Sequence, residues 1–178
     1  DKVLAFMDGT KGMIIDIRLS PGGTDQCVYQ IASRFADKKR VGHHRKTKTK
    51  TGPDGFAELK TRYLNPDEDG DTYLKPIILL THDASFSGAD VFAMVMTELP
   101  QVTLVGEPTN GIFSNMLEKK LPNGWKYTLS FQVYYSADMT CYEGQGIPVD
   151  IPMKNMRSDL EKGEDPLILK ALELLSDK

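Results

Sequence analysis

Apolar and polar positions alternate along this chain in blocks that mark its elements. Residues 12–19, "GMIIDIRL", are a short apolar run halted by Ser-Pro-Gly-Gly, the pattern of a buried strand ended by a turn. "TDQCVYQIASRFA" follows, opening on a Thr-Asp cap signal, and Val28, Ile31, Ala32 and Phe35 fall on one helical face. "KPIILLTH" predicts a second buried strand, residues 87–99 a helix, and "QVTLVG" a third strand. Strands alternating with helices predict an α/β fold of β-α-β units with right-handed crossovers.

Past residue 113 the pattern changes. "NMLEKKLPNGWKYTLSFQVYYS" reads as two strands around Pro-Asn-Gly, a hairpin signal. The tail "DPLILKALELL" predicts an amphipathic helix with Leu167, Ala171 and Leu174 on one face. "KKRVGHHRKTKTKTG" predicts an exposed strand whose Lys/Thr alternation puts cations on one face and guards a sheet edge. His43 and His44 then lie on opposite faces. "DEDGD" resembles a calcium loop only loosely, lacks the terminal Glu, and reads as a solvated turn.

Composition narrows the classes. With 178 residues, 40% of them hydrophobic, the chain is of one-domain size and can bury a substantial core. A net charge of −3 gives no global pull toward nucleic acid or an anionic membrane, and no aromatics interleave the basic segment for base stacking. No run approaches the roughly 18 apolar residues of a membrane span. The two cysteines, Cys27 and Cys141, have neither metal-ligand spacing nor the number for a disulfide framework; Cys27, in an apolar helical pattern, is expected to be a buried thiol. No metal or organic cofactor is indicated.

Four segments carry candidate chemistry: "DIRLSPGG", "SFSGAD", "GEPTNG" and "CYEGQGIPVD". Gly-Gly after a strand is commonly a plain turn, and a serine before a helix commonly a cap. Ser87 could cap the helix, with Asp90 completing a capping box. The alternative is a nucleophile, because at a helix start after a buried strand the hydroxyl is exposed and the first N–H groups are free. Gly88 and Ala89 leave room there for a substrate carbonyl.

Taken in order, these segments resemble the C-terminal processing (tail-specific) serine peptidases, including the tricorn-core and retinoid-binding-protein-like branch. That family runs Asp-Leu/Ile-Arg-x-Asn-x-Gly-Gly, Ser-Ala-x-Glu/Asp, Gly-Glu/Asp-x-Thr-x-Gly, Leu-Pro-Asn/Asp-Gly, then Glu-Gly-x-Gly-Ile-x-Pro-Asp. This chain reads "DIRLSPGG", "SGAD", "GEPTNG", "LPNGW" and "EGQGIPVD". "LPNGW" and the late "GEDP" are similar to bacterial members, and the resemblance covers nearly the whole chain. It implies an α/β fold with a ClpP/crotonase-like β-α-β spiral core, extended by a β-hairpin and a C-terminal helix. Residues 1–178 then form a single catalytic domain, an N-terminally truncated fragment of a longer protein.

The resemblance makes Ser87 the counterpart of the nucleophile, with Ser85 a neighbour. It implies an oxyanion hole from the N–H of Gly88 and one from the Gly22–Gly23 turn. The Ser/Lys branch has a lysine after "GxTxG", where this chain has Ile112, so a Ser-Lys dyad is not expected. The tricorn-like branch uses a histidine upstream of the Asp-x-Arg strand and a glutamate matched by Glu143. That histidine would precede residue 1, so these 178 residues alone are expected to hydrolyse peptides poorly. His82, five residues before Ser87, is the best outsider among the three histidines.

Three readings follow. The first is a serine endopeptidase acting on peptide or protein substrates bound by strand addition, with no nucleic acid partner and an exported, periplasmic or surface location implied by the family. The second is a non-catalytic module that keeps the fold and holds a peptide or glycan. The third, an acyl-CoA enzyme of the crotonase type, leaves "LPNGW" and "EGQGIPVD" unexplained and ranks last.

Overall fold

The structure is a computed structural model that describes residues 2–7, 9–50, 52, 54–68 and 70–176. In chain order the elements are α1 (Lys2–Met7), β1 (Met13–Asp16), α2 (Asp25–Ala32) with a 3-10 turn at Ser33–Phe35, β2 (Arg40–Thr47), β3 (Lys60–Leu64), β4 (Ile77–Thr81) and α3 (Gly88–Met96). Then come β5 (Val102–Gly106), β6 (Met116–Lys120), β7 (Lys126–Ser130), β8 (Gln132–Tyr135), β9 (Ile151–Pro152), α4 (Arg157–Glu161) and α5 (Pro166–Ser176).

Among the described residues, β1-β4-β5-β9 form one parallel sheet. Its central strand β4, "IILLT", is buried at every position because both faces are covered. Ile77, Leu79 and Leu104 join the cluster built with α2 and α3 residues such as Val28, Ala32, Phe92 and Met96. Ile78, Leu80 and Val105 face the other way, onto Leu167, Ala171 and Leu175 of α5. Helices on both faces of a parallel sheet make this a mixed α/β fold, as the alternation predicted. The helix α3 is buried along its whole length, so the apolar run "VFAMVM" needs no polar face. No helix among the described residues is long and apolar enough to cross a membrane.

Several expectations are corrected. The basic strand β2 is no edge: it lies between β3 and β8, and His43 on it is buried. The expected second hairpin strand breaks at Phe131, because the N–H groups of Phe131 and Gln132 both donate to Ser114 Oγ (3.0 Å each), and β8 pairs instead with β2. On α2 the buried positions are Val28, Tyr29 and Ala32; Ile31 is 52% exposed and Cys27 is exposed rather than a buried thiol. The stripe Cys27–Ile31 is apolar, but it faces a cavity and not the core. On α5, Leu175 is buried and Leu174 only partly so. In "DEDGD", Asp67 pairs with Arg34 (3.2 Å) instead of standing free in solvent, and Asp69 lies outside the described residues.

Candidate active site

The chain leaves β4 through His82–Phe86 and enters α3 at Gly88, at the carboxyl end of the parallel sheet, where α/β folds place their ligands. Ser87 sits between, with φ 60° and ψ −119°. A serine seldom adopts a positive φ, and a helix N-cap takes the extended region instead. The reciprocal Ser87–Asp90 pairing of a capping box is present, but capping alone does not call for this backbone. Two bonds hold the posture: the Ser87 N–H donates to the Ile112 carbonyl (3.0 Å) and to Asp90 Oδ2 (2.8 Å).

The two serines separate cleanly. Ser85 is fully buried; its hydroxyl donates to the Ile17 carbonyl (2.9 Å) and accepts from the His82 N–H (3.1 Å). Its carbonyl accepts from the Asn110 N–H (2.9 Å), so Ser85 ties the ends of β1 and β4 to the 109–113 segment. Ser87 is only partly buried. The serine without its hydroxyl locked in the core is the one at position 87.

The double-glycine bend packs against this turn. A Cβ on Gly22 (φ +88°) would lie 2.4 Å from the Gly88 nitrogen and 2.5 Å from the Phe86 carbonyl. One on Gly88 would lie 2.5 Å from the Gly23 nitrogen. Only residues without side chains allow two backbones so close. The Phe86 N–H donates to the Ser20 carbonyl (3.3 Å), which stitches the loops together. The Gly22 N–H is taken up by Ser20 Oγ (3.3 Å), whereas the amides of Gly23 and Gly88 have no acceptor among the described residues. Of the two glycines in the bend, Gly23 is therefore the one with an amide free for an oxyanion beside that of Gly88.

Asp90 organises the other side. It is fully buried, with Oδ1 accepting from the Gly111 N–H (2.8 Å) and Oδ2 from the N–H groups of Ser87 and Ile112 (2.8 and 3.1 Å). Burial pushes its carboxyl above the usual range, and these donors with the Thr109 hydroxyl oppose that shift. Thr109 Oγ1 accepts from the Ile147 N–H (2.8 Å), and the Gly111 carbonyl accepts from the Gly144 N–H (2.8 Å). The Ser87 turn, the 109–113 segment and the 142–147 loop are thus one hydrogen-bonded unit.

Glu143 belongs to that unit. Its Oε2 accepts from the Phe113 N–H (3.3 Å), one residue beyond the Ile112 carbonyl that holds Ser87. Partial desolvation raises its pKa, the Phe113 amide lowers it, and the charge of Asp90 raises it further. Ile112 itself is half exposed.

The histidines stand apart. His43 is buried, with Nδ1 2.8 Å from the Tyr29 hydroxyl, and burial pushes its pKa down to about 4. His44 bonds Thr61 (2.8 Å). His82 lies with Nε2 3.1 Å from Glu107 and Nδ1 2.6 Å from Asp83, facing a cleft with Arg18 and Asp165. None of the three hydrogen-bonds to Ser87 among the described residues.

Two features escaped the sequence reading. Arg18 is held in bidentate fashion by Asp16 (2.9 and 2.6 Å) and pairs with Asp165 of "GEDP" (3.0 and 2.8 Å), anchoring the bend to the start of α5. Asp25, two residues after the bend, meets Arg45 and the Tyr134 hydroxyl (3.2 Å each). The bend is clamped at both ends; the acidic and basic residue types were visible, their pairing was not.

Comparison with known proteins gives the family and the fold. The family model described as Peptidase family S41 matches residues 1–153. The chain is 27% identical over 159 residues to a carboxy-terminal-processing protease of Bartonella bacilliformis, covering 89% of this chain and 34% of that protein. Among solved structures, a candidate peptidase from Parabacteroides merdae ATCC 43184 matches with a TM-score of 0.90 and 32% identity, over 98% of this chain and 55% of that one. Mature CPAF complexed with lactacystin matches with a TM-score of 0.82 over 99% of this chain and 47% of that one; at 16% identity it speaks to the fold alone. The chain spans about a third of the length of the curated relatives it matches.

Proposed function

Because the chain belongs to peptidase family S41, we propose that it carries the acylating centre of a serine endopeptidase, with Ser87 as nucleophile. The Ser87 hydroxyl gives its proton to a base and attacks the scissile carbonyl carbon. The oxygen that becomes negative takes hydrogen bonds from the amides of Gly88 and Gly23. Collapse expels the amine, protonated by the same base, and water then releases the acyl group. The base is a histidine contributed from upstream of residue 1, and Glu143 orients it. The substrate is a peptide or protein chain, met at an exported, periplasmic or surface location.

The observation that carries this reading is the posture of Ser87: a serine at positive φ, beside two amides without an acceptor among the described residues, from segments in backbone contact. Strain of this kind points from structure to function. Fluorophosphonate labelling of the full-length protein, with peptide mapping, tests it. Labelling at Ser87 that vanishes in Ser87→Ala is expected; labelling elsewhere, or none, overturns it.

A binding module that retains the fold is the second reading, favoured by one observation: no described histidine reaches Ser87. It predicts no labelling and peptide binding that survives Ser87→Ala.

A further inference from the structure

We propose that the β6–β7 hairpin docks on an anionic lipid surface, its tip entering the boundary between headgroups and acyl chains and its lysines meeting the lipid phosphates. The inference goes beyond the chemistry at Ser87 and does not depend on it.

Every residue from 115 to 130 is exposed, on both faces of the two-stranded ribbon. The register pairs Leu117 with Leu129 and Lys119 with Tyr127, and Leu121 closes the turn against Trp125. Alternation puts these three rungs on one face. The other face carries Met116 opposite Ser130, Glu118 opposite Thr128 and Lys120 opposite Lys126. Apolar rungs left in water carry a cost, and a two-stranded ribbon alone is marginal there. Trp125, the sole tryptophan of the 178 residues, is 72% exposed at the tip.

Two observations say what covers it. The first is charge. Residues 116–130 hold three lysines and one glutamate, on a chain whose net charge is −3, so the attraction to anions is local to the hairpin. Glu118 pairs with Lys126 (2.9 Å), while Lys119 and Lys120 have no ion pair among the described residues. At a rise of about 3.4 Å per residue, Lys120 and Lys126 stand about 3 Å behind the Leu121–Trp125 pair, and Lys119 about 7 Å. An amphipathic segment enters a bilayer by about 5–10 Å. With Leu121 and Trp125 in the acyl boundary, the three ammonium groups therefore reach the phosphate layer. Aromatic rings at headgroup level with lysines snorkelling outward are the arrangement of membrane-interface segments. A second copy of the hairpin would instead bring lysine against lysine.

The second observation is the backbone of the tip. The Leu121 N–H donates to the Trp125 carbonyl (2.8 Å), the Gly124 N–H to the Leu121 carbonyl (2.9 Å) and the Trp125 N–H to Asn123 Oδ1 (3.1 Å). Pro122 has no N–H, so Asn123 alone in this turn keeps one without an acceptor among the described residues. A turn that satisfies its own donors leaves water at little cost, which an apolar boundary demands. The hairpin root at Phe113 and Ser114 adjoins Glu143, so docking holds the candidate site close to the lipid surface.

The experiment uses the full-length protein and vesicles of phosphatidylcholine, alone or mixed equally with phosphatidylglycerol, read by co-sedimentation. Binding to the mixed vesicles and not to the neutral ones is expected, weakening as salt rises. Lys119→Gln and Lys120→Gln should each lower the partition coefficient about fivefold, the worth of one lysine near an anionic surface. Trp125→Ser should lower it at least about tenfold. Brominated acyl chains should quench the part of the emission that Trp125→Phe removes. These side chains are all exposed, so the lipid-free variants should melt with wild type. No binding to the mixed vesicles, binding that Trp125→Ser and the lysine variants leave unchanged, or unquenched Trp125 emission overturns the inference. So does a lower Tm or a changed oligomeric mass for lipid-free Trp125→Ser, which puts the apolar rungs against another part of the chain or a second copy.

Discussion

Replacing Gly22 by alanine puts a methyl group 2.4 Å from the Gly88 nitrogen, 2.5 Å from the Phe86 carbonyl and 3.0 Å from Ser87 Cβ. Ordinary contact needs at least about 3.4 Å, so the bend and the Ser87 turn must separate by about 1 Å. A displacement of that size at a reacting centre typically costs about 10²-fold, and loss of one oxyanion donor about 10²–10³-fold. Left-handed backbone at φ +88° adds about 1–2 kcal/mol of strain, or a Tm lower by about 2–8 °C for a domain of this length. The expected result for Gly22→Ala is fluorophosphonate labelling of Ser87 slowed by about 10²–10³-fold in protein that still unfolds cooperatively. Gly23 is the comparison, because a Cβ there meets nothing within 4 Å and the N–H is retained. Its alanine variant should lose at least about tenfold less than Gly22→Ala. Equal rates for the two variants, or wild-type labelling by Gly22→Ala, would refute the claim that backbone contact between bend and turn builds the site.

Ser85→Ala deprives the His82 N–H of its acceptor and should cost about 1–3 kcal/mol, read as a Tm lower by about 2–12 °C, whereas Ser87→Ala should abolish labelling without a comparable fall. His43 supplies a pH test. Its folded pKa of about 4 lies below the ordinary 6.5, so the stability it contributes is complete above pH 6.5 and lost as pH falls toward 4. The displacement corresponds to about 3 kcal/mol. Urea midpoints between pH 7 and 4 should fall more steeply for wild type than for His43→Gln; identical slopes would mean that His43 is not held neutral.

Legibility in the sequence followed the physics of covering. β1, β4 and β5 were visible because a strand covered on both faces must be apolar throughout, and the hairpin because Pro-Asn-Gly leaves the chain few options. β8 was not visible, since its separation from β7 is imposed by Ser114, a residue on the far side of the hairpin. The placement of β2 was missed for a related reason: the Lys/Thr alternation belongs to its end, while Gly42 and His43 are buried, Gly42 against Tyr29 of α2 and His43 between Tyr29 and Tyr134 of β8. Cys27 and Ile31 show the limit of periodicity, which identifies an apolar stripe but not what lies opposite. At the candidate site, the resemblance of "SGAD" to the family segment pointed to Ser87, yet the disposal of Ser85 and the engagement of the Gly22 amide depend on loops distant in the chain.

The carboxylate of Asp90 waits for partners that the ribosome adds later: first Gly111 and Ile112, then the 142–147 stretch that braces them. At about 5–20 residues per second, the emerging polypeptide exposes its serine for some seconds before anything can bend it into its strained shape. The positive φ at Ser87 is therefore completed late in synthesis, by the order in which its holding segments are made.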